Sequence, residues 1–313
     1  MFSFIKKRFL YRFIIILFND LVAYVHIFDV KNNKTIATNS EEFEISSKDE
    51  LSEDLILYIN KKQEQVERSY VVTLVNSAGQ GIVPTCATSA FLEYSIDKRY
   101  IYNVCVDKKF SNYVSKIDIK WLQKLFLKTG IDLIFSPFTI LYRISKTIEI
   151  EENVVLYMMQ VNQTVTLLIK QKDQVVYGSF IDLSVEKNLL YSDYENEEEE
   201  IEIEEEFDIE DDFDTKDWDN NIEKFDESLD DSLKSIESKS SFGKFLSNSL
   251  QEFYKDKRYK GDFVDKVFFF SEEKIDKNVL EFMENELFLS VDLKTIDLNE
   301  EILKVCQDEV INV

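Results

Sequence analysis

The most constraining feature of the sequence is a three-stranded β-meander pattern that occurs twice. In the second copy, apolar and β-branched runs separated by polar turns span Val154 to Met159, Thr164 to Lys170 and Val175 to Ile181. About 140 residues earlier, the same arrangement covers Arg12 to Phe18, Leu21 to Val30 and a run that begins at Thr35. Such runs are typical of β-strands. Because helical sequence follows each copy, the repeat predicts one duplicated α/β domain.

The acidity of the chain is concentrated in one segment. The 313 residues carry a net charge of −24, but Asp193 to Asp231 holds 22 acidic residues against two lysines, a net of −20, which leaves −4 for the rest. The remainder of the chain is therefore nearly neutral. We expect no nucleic-acid binding, since no dense lysine and arginine face offsets the repulsion between these carboxylates and phosphate.

This acidic tract allows two interpretations. Apolar residues interrupt it every few positions, among them Phe207, Phe213 and Trp218. Mutual repulsion of the carboxylates favours a disordered, solvated spacer. The alternative is an acidic-hydrophobic segment that docks on a basic partner surface through those three aromatic side chains.

The apolar N-terminal sequence resembles a membrane anchor but is too short to be one. Its uninterrupted apolar run extends only from Phe13 to Phe18, because Arg12 precedes it and Asn19 and Asp20 follow. A spanning helix needs about 20 apolar residues. The segment therefore predicts two buried strands, in a cytoplasmic protein whose contact with the membrane is peripheral and made through partners.

The three cysteines and the single histidine form no recognisable site. Cys86, Cys105 and Cys306 are odd in number, widely spaced and without a CxxC pair, so neither a disulfide framework nor a zinc site is indicated. We expect buried, reduced thiols. His26 lies mid-strand with no Cys, His or Ser pattern beside it, which favours a packed or hydrogen-bonded structural histidine over a catalytic base.

The most glycine-rich stretch, Asn76 to Pro84, carries the sequence Gly79-Gln80-Gly81. It lacks the lysine and the Ser/Thr of a P-loop and the third glycine of a dinucleotide-binding turn. The stretch therefore predicts a flexible turn. A helix over Thr85 to Ile96 is predicted to follow it.

The other segments predict helices and short strands that would cover the two meanders. The predicted helices span Leu51 to Arg68, Ser115 to Thr129, Pro137 to Ile144, Phe242 to Tyr254 and Asn278 to Phe288. The predicted strands span Tyr70 to Val75, Tyr100 to Val106, Ile131 to Phe135, Lys266 to Phe270 and Leu289 to Leu293.

Two stretches resemble the actin-like family that includes the type IV pilus assembly protein M and the cytoplasmic domain of the type II secretion protein L. They are Tyr102 to Leu141, and Ser249 to Tyr254 followed by Lys266 to Asp276. The resemblance implies an actin-like, ribonuclease H-like duplicated fold with two lobes, in which helices flank mixed sheets. The lobes would comprise residues 1–145 and residues 146–192 with 242–313, and residues 193–241 would form a largely disordered acidic insertion.

The nucleotide loops of the family are degenerate in this sequence. ATP-binding members place glycines and an acidic residue in the first turn of each meander, because the backbone must approach the phosphates and an acid must hold the metal. Here the first turn has Asp20 but no glycine, and the second, Gln160 to Gln163, has neither. The third loop has Glu272 and Glu273 where the family has glycines. We therefore expect a non-catalytic protein with no nucleotide cofactor and no metal.

The resemblance implies a scaffold of a bacterial type IV pilus, type II secretion or DNA-uptake machine. Such a scaffold would bind the cytosolic tail of a bitopic inner-membrane protein and the assembly ATPase. The tail site implied by the relatives would lie around Gly79, Gly81 and Pro84 and the Thr85 to Tyr94 helix, and the acidic tract would make a second contact. The alternative is an ATP-binding actin-like ATPase with divergent loops, whose polar contacts would be Asp20, Gln160, Asn162 and Gln163.

Overall fold

A computed structural model describes residues 6–183 and 242–312, except 20, 48, 150, 152, 260, 273–279, 282, 286, 287 and 289. Asp20, Phe207, Phe213 and Trp218 lie outside these described residues. The strands are β1 (Tyr11–Asn19), β2 (Val22–Lys31), β3 (Lys34–Glu44), β4 (Ser69–Leu74), β5 (Gln80–Val83), β6 (Ile101–Val106), β7 (Phe110–Ser115), β8 (Leu133–Phe135), β9 (Val154–Val161), β10 (Thr164–Gln171), β11 (Gln174–Asp182), β12 (Lys266–Ser271) and β13 (Val291–Thr295). The α-helices are α1 (Glu53–Glu64), α2 (Lys116–Leu125), α3 (Pro137–Lys146), α4 (residues 242–255) and α5 (Leu298–Val310), and residues 280–281 and 283–285 are also helical.

Two five-stranded sheets share one strand order. The first is ordered β3-β2-β1-β4-β8 and the second β11-β10-β9-β12-β13. In each sheet, a three-stranded antiparallel meander is extended by two strands parallel to its first strand. The duplicated meander predicted from the sequence is confirmed.

The turns of the meanders follow from their residues. Asn32 and Asn33 have positive φ angles of 55° and 58°, as a two-residue hairpin turn requires, and asparagine tolerates this conformation better than most residues. In the second meander, Asn162 and Lys172 take the corresponding conformation, with φ angles of 52° and 53°. Each turn sets the strand register and so decides which side chains face the core.

The N-terminal apolar run forms the buried strand β1, paired on one side with β2 and on the other with β4. Phe13 to Ile16 are fully buried. The prediction of buried strands is therefore confirmed. None of the helices in the described ranges is long and apolar enough to cross a membrane.

Two helices, α3 and α5, form a layer between the two sheets. Helix α3 packs on β9 and β10 of the second sheet, whereas α5 packs on β1 of the first, so each helix contacts the sheet of the other half. Helix α3 begins at Pro137, whose missing N–H would be unpaired at that position anyway, after the cap Ser136. Asp297 caps α5 by accepting a hydrogen bond from the Glu300 N–H. The two lobes consequently share one continuous apolar core.

A small third sheet, ordered β5-β7-β6, is inserted between β4 and α2. The flexible turn predicted over Asn76 to Pro84 is wrong for its second half, because Gln80–Val83 forms strand β5 with all four residues buried. Gly81 lies beneath the Tyr113 side chain, and Gly79 lies against Asp118 and Ser115, so neither position has room for a Cβ atom. Close packing explains these two glycines better than flexibility does.

The cysteine prediction is wrong for two of the three residues. Cys86 and Cys105 form a disulfide with a Cα–Cα distance of 5.3 Å, and only Cys306 is a free, buried thiol. Cys86 follows β5 and Cys105 lies on β6, and β7 separates these two strands in the sheet. The chain after β5 therefore folds back over the sheet to reach β6, which a spacing of 19 residues does not reveal.

The helix predicted over Thr85 to Ile96 is a shorter 3-10 helix, Thr88–Tyr94. Its start is displaced because Cys86 is held in the disulfide. Its end is fixed by Ser95, which has a positive φ angle of 62°. Strand β7 was not predicted, because its polar Ser111 and Asn112 hide the alternation of a strand.

Candidate functional site: the cleft between the lobes

A cavity of about 180 Å³ lies between the lobes, beside the ends of β1 and β4. Its walls include Asn19 at the end of β1, and Asn162 and Gln163 in the turn between β9 and β10. Helix α2 contributes Asp118 and Trp121. The fold thus brings the turn of the second meander to the end of the first strand, from positions more than a hundred residues apart.

The sequence-predicted polar contacts occupy different places in this cleft. Asn162 and Gln163 line the cavity, but the Gln160 side chain donates a hydrogen bond to the Asn162 carbonyl at 3.1 Å and so braces the turn. Thr164 also stabilises the turn, through a 2.9 Å hydrogen bond from its hydroxyl to the Val161 carbonyl. Asp20 lies outside the described residues.

A buried glutamine holds the wall formed by the segment after β4. Gln80 Nε2 donates to the carbonyls of Val75 at 3.1 Å and Ser77 at 2.9 Å, and its Oε1 accepts from the Ser136 hydroxyl at 2.6 Å. Buried amides are stable when they are paired in this way. Gln80 therefore fixes Asn76 and Ser77 at the rim of the cavity, a role that the sequence did not indicate.

The described lining of the cavity is acidic, and the cavity is small. Two carboxylates, Asp118 and Asp182, belong to its lining, and none of its described lining residues is a lysine or an arginine. The Asp118 carboxylate accepts a 2.8 Å hydrogen bond from the Ser77 hydroxyl. The volume lies below the roughly 300–1,000 Å³ typical of small-molecule sites.

The third loop, which follows β12, is hydrogen-bonded to a helix through its described residue Glu272. Glu272 follows β12, and its Oε1 accepts a hydrogen bond from the Leu298 N–H at the start of α5, at 3.2 Å. A carboxylate is stabilised at a helix N-terminus, where N–H groups lack partners inside the helix. This acidic residue therefore has a structural role at α5. Glu273, the second acidic residue of the loop, lies outside the described residues.

The small sheet packs against the second lobe. Strand β5 lies along β11, and Ile82 fits so closely over Gly178 that an added Cβ atom would lie 2.8 Å from its Cγ1. Lys109, next to the turn between β6 and β7, forms an ion pair with Asp173, in the turn between β10 and β11. These contacts join strands that belong to different halves of the chain.

A group of aromatic side chains extends the same junction. Arg258 donates a 2.6 Å hydrogen bond to the Glu93 carbonyl of the 3-10 helix, and the Tyr94 and Tyr259 rings lie 5.8 Å apart. Glu252 of α4 accepts a 2.9 Å hydrogen bond from the Tyr177 hydroxyl. Burial, followed by the negative charge of Glu252, raises the pKa of Tyr177 above its ordinary value. No sequence pattern indicates this junction, since its members are spread over four separate segments.

Gly79, Gly81 and Pro84, predicted to border a peptide groove, lie at the base of the small sheet. Gly81 is buried and Pro84 is half-buried, whereas Gly79, in the segment between β4 and β5, is exposed. Beyond Pro84, the 3-10 helix exposes Leu92. His26 has the structural environment expected of it, because its Nδ1 lies 2.9 Å from the Ser40 hydroxyl on the paired strand β3.

The chain matches two family models, both described as domains of unknown function: DUF8569 over residues 9–142 and DUF8341 over residues 156–311. The search of curated proteins found no match.

Among solved structures, the "PilM-PilN type IV pilus biogenesis complex" is similar at 11% identity and a TM-score of 0.52, over 91% of this chain and 88% of that one. A Bacteroides thetaiotaomicron protein with an actin-like ATPase fold matches at 10% identity and a TM-score of 0.47, over 97% and 99% of the two chains. An exopolyphosphatase from Cytophaga hutchinsonii matches at 10% identity and 0.45, over 96% and 98%. The chain has the actin-like fold.

Proposed function

We propose that this actin-like protein is a non-catalytic, cytoplasmic scaffold of a type IV pilus, type II secretion or DNA-uptake machine. It would lie at the inner membrane by binding the cytosolic tail of a bitopic membrane protein and the assembly ATPase. The observation that carries the proposal is the cleft between the lobes, whose described lining holds two carboxylates and neither a lysine nor an arginine. The similarity of the fold to that of the PilM–PilN type IV pilus biogenesis complex supports the pilus-assembly part of the proposal.

The composition of the cleft supports a loss of nucleotide binding. A nucleotide site needs backbone N–H groups that can approach the phosphates, and small residues normally allow that approach. The second turn here instead carries Asn162 and Gln163, with the side chain of Gln160 bonded to the turn backbone. Asp118 and Asp182 add negative charge beside the same space.

The junction between the small sheet and β11 supports a static role. Actin-like enzymes need access to the cleft, and domain closure around a ligand requires lobes that can separate. Here Ile82 packs on Gly178 and Arg258 is bonded to the Glu93 carbonyl across the same boundary. A scaffold gains from such rigidity, since binding then costs less conformational entropy.

A thermal-shift titration with MgATP, and with a nonhydrolysable ATP analogue, tests the non-catalytic part of the proposal. Ligand at about 100 times its Kd would stabilise the native state by about 2.7 kcal/mol and raise the melting temperature by several degrees. We expect no rise at millimolar MgATP. A rise that disappears in Asn162→Ala and Gln163→Ala variants would instead establish the ATPase alternative, in which Asp20, Gln160, Asn162 and Gln163 contact the nucleotide.

Co-purification tests the scaffold part. The tagged full chain, cross-linked in its native bacterium, is expected to recover a bitopic inner-membrane protein and a secretion or pilus ATPase. A chain lacking residues 193–231 is the matched variant, since those residues hold Phe207, Phe213 and Trp218 and most of the negative charge. We expect this shortened chain to retain the membrane partner and to lose part of the second partner contact, the one that the acidic tract would make. Recovery of neither partner by the full chain would contradict the scaffold.

A further inference from the structure

The outer strand of the small sheet, β6, has an open edge. Within the described part of the chain it pairs only with β7, so its other side presents backbone N–H and C=O groups to solvent. Such edges invite pairing with another chain, and soluble proteins normally protect them with charged residues or proline. The sequence of β6, Ile101 to Val106, contains neither.

Strand β3, the outer strand of the first sheet, shows how this chain protects an edge. It too is exposed along almost its whole length, but it carries Lys34, Glu41, Glu42 and Glu44. Its apolar residue Ile36 is 59% exposed, similar to the apolar residues of β6. Strand β6 therefore lacks the charged residues that β3 carries, and β3 provides a matched control.

Both faces of β6 are accessible, and one of them is apolar. Tyr102 and Val104 share that apolar face and are 51% and 68% exposed, and Tyr100 just before the strand is 67% exposed. Asn103 and Cys105 lie on the opposite face, since side chains alternate along a strand, and they are exposed as well, with Cys105 bridged to Cys86 on that side. A strand added at this edge would place its alternate side chains over Tyr102 and Val104.

The surroundings of this face are basic, although the chain as a whole is strongly acidic. Lys116 Nζ lies 5.5 Å from the centre of the Tyr102 ring and donates a hydrogen bond to the Arg99 carbonyl. Lys98 and Arg99 lie at the same end, where Asp97 pairs with Arg99. At the other end Asp107 and Lys108 follow the strand, and Asp107 pairs with Lys146. The charge near the edge therefore favours an acidic partner.

We propose that β6 binds an extended acidic peptide segment of a partner protein, which adds to the small sheet as a fourth strand. Main-chain hydrogen bonds along the edge supply affinity. Alternate apolar side chains of the peptide pack on Tyr102 and Val104, and its carboxylates face Lys98 and Lys116. This site is separate from the interlobe cleft and does not depend on the scaffold function proposed above.

Fluorescence anisotropy tests the site with a fluorescein-labelled peptide of about eight residues that alternates glutamate with valine, isoleucine or phenylalanine. The full chain is expected to bind it saturably, and the Tyr102→Ser/Val104→Ser double variant at least ten times more weakly. The Ile36→Ser variant on β3 is expected to bind like the wild type. Equal binding by all three proteins, or no binding by the wild type, would overturn the proposal.

Two further probes test the binding mode without relying on the variants. Peptides methylated on alternate backbone nitrogens, in the two possible registers, distinguish strand addition from simple charge attraction, because only one register leaves the ladder hydrogen bonds intact. We expect one of the two to lose binding at least tenfold. A peptide with lysine in place of glutamate is expected to bind the Lys116→Glu variant more tightly than it binds the wild type. Tighter binding of this lysine peptide to the wild type would overturn the proposal.

Discussion

Lys170 is a buried cation in the central strand of the second meander. It is only 5% exposed, and its ammonium group lies 5.9 Å from the Tyr142 ring centre and 5.7 Å from that of Tyr157. Burial lowers the pKa of Lys170, opposed by the negative charge of Asp173. The sequence could not indicate this burial, because which strand of a meander has both faces covered depends on the packing of the helices.

Replacing Lys170 with methionine is expected to raise the free energy of unfolding at pH 7 by about 1–2 kcal/mol, because a buried charge is replaced by an apolar group of similar length. The unfolded chain binds the proton more tightly than the native state. The wild type therefore gains stability as pH rises from the lowered pKa towards 10.5. The difference in unfolding free energy between Lys170→Met and the wild type narrows over the same range. Urea denaturation at about pH 7, 8.5 and 10 measures both effects.

The exposed Lys120→Met on α2 is the control for this change, and we expect it to alter stability by less than about 0.5 kcal/mol. A loss of stability in Lys170→Met alone would show that the interactions of the ammonium group with the two rings outweigh its desolvation.

His26 is the single histidine of the chain, so its titration can be followed without ambiguity. Burial lowers its pKa, opposed by the charges of Asp297 and Glu42. Because the native pKa lies below 6.5, the unfolded state binds more protons between the two values, and stability is lost as pH falls from 6.5 through that window. NMR of the imidazole resonance is expected to give a midpoint below 6.5. A midpoint above it would mean that the two carboxylates dominate.

At the scale of elements, the sequence predicted those with a strong repeat and missed those defined by contact. The two meanders and the helix that begins at Pro137 have period and capping signals, and the structure confirms them. Strand β5 has only four residues and contains Gly81, which packs beneath Tyr113, so its sequence resembles a turn. The cleft was inferred only from the turns, whereas the Asp118 carboxylate lines it and Gln80 supports its wall, both from segments with no recognisable motif.

The disulfide between Cys86 and Cys105 is expected to stabilise the small sheet. Closing a loop of this length restricts the unfolded chain, so a Cys86→Ser/Cys105→Ser double variant should lose about 3 kcal/mol of unfolding free energy. Thiol titration of the unreduced, denatured protein should detect one thiol, that of Cys306, and three after reduction. A Cys306→Ser variant serves as the control, with no thiol before reduction. Three thiols without reductant would contradict the bridge.

At the scale of the whole molecule, the described residues join the two lobes in two places. One is the shared core around α3 and α5, which follows from the duplicated fold. The other is the junction of the small sheet with β11 and α4, which involves Arg258, Tyr94 and Tyr259. Sequence reasoning could infer the first junction from the repeat. The second depends on where an insertion folds back, and no periodicity in one segment reports contacts with another.

Removing Arg258 tests whether the second junction holds the lobes together. Its side chain donates to the Glu93 carbonyl at 2.6 Å and lies over the Tyr94 and Tyr259 rings, 5.7 Å from each centre. Arg258→Ala should therefore lower the free energy of unfolding by about 1 kcal/mol, a small amount because the side chain is partly exposed. It should also accelerate hydrogen exchange in β5 and β11 but not in β1 or β9. Lys255→Ala, which removes an exposed cation at the end of α4, should change neither. If exchange rose uniformly in Arg258→Ala, the residue would stabilise the whole native state and the lobes would not separate at this boundary. A rise confined to β5 and β11 would show that this junction opens locally while the shared core stays intact.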